Sequence, residues 1–236
     1  MKRALLAICV IMTGLLLMGA APRIEAYQET FRMEADGSGR VAARVELAAL
    51  PPGTWEVPLT TWRGVREIKW SGVPGGVQVQ PALDGQAPCL RLLVGQGAAA
   101  AFVLDLDYQV PASKGAPKPK NQPPGETGLA FRFLNGGKLP VADYDLKVLL
   151  PAGKMVHSVQ EIAPKGKGGE GAQVAYIRED GRLGFTLAAE NLKFGDAASI
   201  KLISVDERKS PVVLIILGLV AVAYLIVFRD IVKPPA

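Results

Sequence analysis

Hydrophobic and polar positions alternate along most of this chain, and the alternation fails in two places. Residues 4–18 and 212–228 are almost wholly apolar. Between them the period is two, punctuated by glycine, proline and aspartate. In Tyr27-Gln28-Glu29-Thr30-Phe31-Arg32-Met33, Phe31 and Met33 oppose Arg32 and Glu34. Asp36-Gly37-Ser38-Gly39 reads as a turn. Val41, Ala43, Val45 and Leu47 then alternate with Arg44 and Glu46. Two period-2 runs around an Asp-Gly turn predict a β-hairpin. Further strands are expected near 54–60, 65–71, 76–80 and 89–95. The clearest strand is Phe102–Val110, with Phe102, Leu104, Leu106, Tyr108 and Val110 on one face and Asp105, Asp107 and Gln109 on the other. One buried and one wet face suit an antiparallel sandwich.

Residues 111–127 hold five prolines and three lysines and no large apolar residue. They read as an extended linker or long loop. A second β-rich stretch follows. It shows Leu129–Phe133, a turn at Asn135-Gly136-Gly137, and a strand at 143–150 closed by Pro151-Ala152-Gly153. Strands at 172–178, 182–188 and 198–205 complete it, with Glu179-Asp180-Gly181 turning between the first two. The expected fold is an all-β ectodomain, one or two antiparallel β-sandwich modules, plus a single C-terminal transmembrane α-helix. The modules are 27–110 and 128–206.

The apolar ends set the expected topology. Lys2 and Arg3 precede the run 4–18, and small residues follow it, as in a secretory signal. Cleavage can follow Ala20, Ala21 or Ala26, and Pro22 disfavours the second. Residues 1–21, or at most 1–26, are thus a signal peptide. Cys9 lies inside the apolar run, which excludes a lipoprotein signal. Residues 212–228 span roughly 26 Å as a helix, against a hydrocarbon core of about 30 Å. Arg208 and Lys209 before the run, and Arg229 and Lys233 after it, can snorkel to the two interfaces. The expected transmembrane helix is 211–228, with a short cytoplasmic tail at 229–236. Each flank carries two basic residues, so orientation follows from the signal: residues 27–209 lie outside the cytoplasm, periplasmic or extracellular.

Charge and cysteine content narrow the function classes. Net charge is +5 for the whole chain, and loss of Lys2 and Arg3 leaves +3. A mildly basic exported protein is no nucleic-acid binder. The only cysteines are Cys9 and Cys89. If Cys9 leaves with the signal, no intramolecular disulfide remains, and the core must hold the fold. Cys89 is either a small buried hydrophobe or an exposed thiol linking two copies. Asn121, Asn135 and Asn191 all lack an Asn-x-Ser/Thr context, which fits a bacterial envelope protein.

Candidate chemistry is sparse. His157 is the only histidine, and neither Cys89 nor the carboxylates show metal-ligand spacing around it. A Cys89–His157 pair or a serine triad lacks any motif. His157 sits in Met155–Val159, on the polar face of a strand. Gly166–Gly171 spells G-x-G-x-x-G, yet Ala172–Tyr176 after it alternates like a strand, not a helix, so a loop is expected. Asp105 and Asp107 share a strand face that reads as solvated. Trp55, Trp62 and Trp70 lie within 16 residues. Exposed, they would stack on sugar rings; in a sandwich, such aromatics more often fill the core or cover its end. Lys114, Lys118, Lys120, Lys165 and Lys167 are candidates for contact with anionic lipid or an acidic partner. No catalytic, cofactor or metal residue is assigned.

The layout resembles ribophorin-type ectodomains and bacterial single-pass envelope proteins. The resemblance rests on strand-turn phrases such as Glu34-Ala35-Asp36-Gly37-Ser38-Gly39-Arg40-Val41 and Val148-Leu149-Leu150-Pro151-Ala152-Gly153. It implies a signal, one or two β-sandwiches and a C-terminal anchor, and transfers no functional residue. The expected function is therefore that of a non-enzymatic, membrane-anchored accessory or interaction subunit of the cell envelope, with a protein partner in or at the membrane. A glycan-binding module is the alternative, and a hydrolase the third reading.

Overall fold

A computed structural model describes residues 21–60, 65–83, 88–112, 126–163 and 172–206. The apolar run 4–18 of the expected signal and the expected transmembrane helix lie outside the described residues. Within them the protein is all-β, with no helix. The strands are β1 (Arg23–Met33), β2 (Gly39–Ala48), β3 (Gly53–Pro58), β4 (Arg66–Ser71), β5 (Val77–Ala82), β6 (Cys89–Val94), β7 (Phe102–Val110), β8 (Glu126–Leu134), β9 (Val141–Leu149), β10 (Lys154–Ala163), β11 (Gln173–Glu179), β12 (Arg182–Leu192) and β13 (Ala197–Asp206).

They form a seven-stranded sheet, β11-β12-β9-β1-β2-β7-β4, and two three-stranded sheets, β10-β13-β8 and β3-β6-β5. Both small sheets pack on the same face of the large one. Tyr27 of β1 meets Phe133 of β8 edge-on at 5.1 Å between ring centroids, and its hydroxyl donates to the Pro58 carbonyl at the end of β3 at 2.9 Å. A single apolar core runs beneath both small sheets, from Leu90 and Leu92 of β6 to Ile200 and Leu202 of β13.

The expected β1–β2 hairpin forms, with Phe31 opposite Val41 and Met33 opposite Gly39. Its turn is tied by Ser38 N–H and Oγ, both donating to Asp36 Oδ1 at 2.8 and 2.6 Å. The β11–β12 turn places Asp180 and Gly181 at φ 52° and 73°. Two consecutive left-handed residues make the mirror-image turn that suits strand twist.

Three expectations are refined. The sandwich is not wholly antiparallel: β1 runs parallel to β9, with Tyr27 opposite Tyr144 and Phe31 opposite Val148. This pair joins the two halves of the chain in one sheet. Strand β8 begins at Glu126, inside the stretch read as linker, because Glu126 pairs with Val205. Strand β1 begins at Arg23, before the last cleavage point considered, because Ile24 is buried between Leu47 and Val141.

The sandwich has two ends with different contents. Arg32 pairs with Leu149, Leu149 with Gly184, and Lys154 with Asp206. That end holds the turns around Asp36, Ala152 and Asp180, the end of β7, the start of β8 and the end of β13. The opposite end holds Arg23, the start of β9 and the loop Lys193–Asp196 between β12 and β13.

Candidate functional site

The most unusual chemistry lies on β1. The inward face of that strand reads Tyr27, Glu29, Phe31, Met33, so period two carries a carboxylate into the core. Glu29 is 2% exposed. Its register neighbours are Ala43 on β2 and Leu146 on β9. Oε1 accepts a short hydrogen bond from Thr60 Oγ1 and one of 2.5 Å from the Tyr108 hydroxyl of β7. Oε2 accepts from the Tyr144 hydroxyl of β9 at 3.2 Å. The donors come from three separate parts of the chain. They link both sides of the large sheet to the segment that follows β3.

Burial pushes the Glu29 carboxyl above the ordinary glutamate range, and the three hydroxyl donors pull the other way without cancelling it. Burial, reinforced by the neighbouring Glu29, also raises Tyr108 and Tyr144 well above ordinary phenols, so they remain protonated donors. Burial thus disfavours the ionised form relative to water, while the three hydroxyls supply its oxygens with donors. The site offers no face to a substrate. Its action is to pin strands together and to penalise charge in the core.

Glu29 is legible in the sequence by parity alone. Tyr27, Phe31 and Met33 define the buried face, and Glu29 shares their parity.

The residues singled out from the sequence are scattered. Trp55 lies on β3, packs against the core, and donates its indole N–H to the Pro51 carbonyl at 2.9 Å. Trp70 lies on β4, the edge of the large sheet, opposite Leu106, and is 37% exposed. These two belong to different sheets and build no common platform. Trp62 lies outside the described residues. A shallow surface cleft of about 340 Å³ runs beside Trp70, lined also by Lys69, Ser71, Asp105, Leu106 and Asp107.

Asp105 and Asp107 meet arginines from β2. Arg40 grips Asp107 with three contacts of 2.6–3.0 Å, and Arg44 stands 3.7 Å from Asp105. Their charge is compensated across strands, as a solvated face requires. His157 is exposed on β10 at a register shift between Val156 and Ser158. Cys89 begins β6, in a different sheet from His157, and burial raises its thiol above the ordinary range. Half-buried, it lines a small cleft of about 130 Å³ with Glu56, Pro58 and Arg91. No group of three or more His, Cys, Asp or Glu residues with metal-binding geometry occurs among the described residues.

The five candidate lysines lie outside the described residues, but the strands that flank them are placed. Lys114, Lys118 and Lys120 lie between Val110 and Glu126, both at the Asp206 end. Lys165 and Lys167 lie between Ala163 and Gln173, both at the Arg23 end.

No protein-family profile matches this chain, and no curated protein does. Solved structures give distant likenesses. The M1 zinc metallopeptidase of Deinococcus radiodurans is 14% identical with a TM-score of 0.38, over 78% of this chain and 42% of that one. The leukotriene A4 hydrolase of Saccharomyces cerevisiae is 7% identical with a TM-score of 0.38, over 76% of this chain and 29% of that one. This chain spans less than half the length of either enzyme. Neither likeness assigns a residue or an activity here.

Proposed function

We propose that this protein is a membrane-anchored, non-enzymatic accessory or interaction subunit of the cell envelope, with its β-sandwich outside the cytoplasm. One observation carries the reading. A β-sandwich occupies the middle of a chain whose flanks, 4–18 and 212–228, are long apolar runs. The last strand ends at Asp206, six residues before Val212, so a helix at 212–228 would hold the sandwich close to lipid. Such a position suits lateral contact with a protein in the same membrane. The buried carboxyl at Glu29 supports a structural role, because it ties β1 to Thr60, Tyr108 and Tyr144 and faces no solvent. The test is to cross-link the full-length protein in membranes, solubilise it in mild detergent and identify what co-purifies. Stoichiometric membrane proteins are the expected result; a lone species would sink the accessory reading.

A second reading, glycan binding, draws on Trp70. Trp70 is 37% exposed on the edge strand, on the face of Leu106, and Lys69, Ser71, Asp105 and Asp107 help line the adjoining cleft; aromatic surface close to polar groups is what a sugar ring needs. Under this reading, tryptophan emission shifts on addition of envelope glycan, and the shift disappears in Trp70→Ala. Emission unmoved by any glycan would remove it.

A further inference from the structure

We propose that the sandwich stands on end at the lipid surface, resting on the turns around Asp36, Ala152 and Asp180. This inference rests on the anchor reading above, that residues 212–228 span the membrane. Three observations combine. First, strand pairing gathers those three turns at the end where β13 finishes at Asp206. Second, the chain from Asp206 to Val212 has six steps and reaches about 22 Å at most. Third, β1 measures roughly 33 Å from Arg23 to Met33, at about 3.3 Å per residue. An inverted sandwich would lift Asp206 further from the bilayer than its tether allows.

The broad outer face of the large sheet is a poor alternative footing. It carries compensated charge: Arg40 with Asp107, Arg44 with Glu46 and Asp105, and Lys147 with Glu179. Paired, hydrated ions give neither apolar insertion nor net attraction to anionic headgroups. The end that holds Asp206 also carries cations, namely Arg32, Arg182 and Lys154. These are engaged with Asp180, Glu34 and Asp206 respectively, so charge adds no net attraction at this end; the tether rules out inversion, and the compensated ion pairs disfavour the outer face of the large sheet. The consequence for partners is directional. The Lys193–Asp196 loop, with Phe194 71% exposed, stands at the far end, roughly 30 Å out.

Collisional quenching tests this. In a Cys89→Ser background, Ala152→Cys and Phe194→Cys each receive a fluorophore. Both positions are exposed turns, so neither substitution loads the core. The protein after signal removal, with residues 212–228 retained, is placed in vesicles of neutral and anionic phospholipid containing a headgroup-nitroxide quencher, so that the run 4–18 contributes no lipid binding. Flotation with the vesicles is scored first. A chain that does not float refutes the anchor reading, and the orientation falls with it. For a floating chain, quenching several-fold stronger at 152 than at 194 is the expected result. Equal quenching means the sandwich lies on its side, and stronger quenching at 194 means it is inverted. Either of these, or no quenching at either position, overturns the proposal while leaving the anchor intact.

Discussion

Two buried polar residues show how single side chains define this fold. Burial raises the Glu29 carboxyl, so the folded state binds its proton more tightly than the unfolded chain does. The resulting stabilisation is complete at pH below the unfolded carboxyl's range and is lost as pH rises through the raised folded value. Compared with Glu29→Gln, which keeps the shape and cannot ionise, the wild-type protein loses stability from the ordinary glutamate range upward. Urea unfolding of both proteins between pH 4 and 8 reads this difference directly. A wild type that gains on the variant as pH rises would mean that the three hydroxyls outweigh burial. Asn135 is the second case. Fully buried, it donates Nδ2–H to the carbonyls of Leu139 and Leu192, both at 2.9 Å, and accepts from Gly137 N–H at 3.2 Å. Asn135→Ala strands these groups and costs about 2–4 kcal/mol, measurable as a lower urea midpoint at unchanged slope.

Strands and their edges carry the next level of specification. β12 packs against β9 so closely that a Cβ at Gly184 would collide with the Val148 carbonyl oxygen. Backbone cannot yield there, so Gly184→Ala costs about 1–3 kcal/mol through strand displacement. Thermal unfolding checks it, with Gly128→Ala, where a Cβ meets open space, as the control. Edge strands are blunted by irregularity. β10 has register shifts at Val156/Ser158 and Val159/Glu161, β4 has one between Arg66 and Lys69, and β5 carries Pro81. Bulges and prolines at edges discourage pairing with a second copy. Strand β1 makes a prediction of its own. Cleavage after Ala26 would remove Ile24 from between β2 and β9, whereas cleavage after Ala20 leaves the strand whole. Under the proposed export signal, intact mass of the protein is expected to begin at Ala21. A mass beginning at Tyr27 would show that the first turn of pairing is dispensable.

For the whole molecule, local pattern determined a good deal. Period two located twelve of the strands to within a few residues, and His157 was placed on a strand whose full extent, Lys154–Ala163, the pattern did not mark. The turns at Asp36, Asn135, Ala152 and Asp180 were legible because Gly, Asn and Asp relieve backbone strain where the chain reverses. Such signals sit within a few residues of their effect. Other features arose only from tertiary structure. The parallel β1–β9 pairing joins residues more than a hundred positions apart, and no periodicity encodes a distant partner. Glu29 was visible as a residue on the buried face, but its meaning depends on Thr60, Tyr108 and Tyr144, which lie 31, 79 and 115 residues away. Trp55 and Trp70 lie only 15 residues apart and belong to different sheets, because strand order, not chain order, sets proximity. Alternation tells each residue which face it takes. Only the closing of three sheets over one core decides which faces meet, because that choice minimises exposed apolar surface summed over the whole chain.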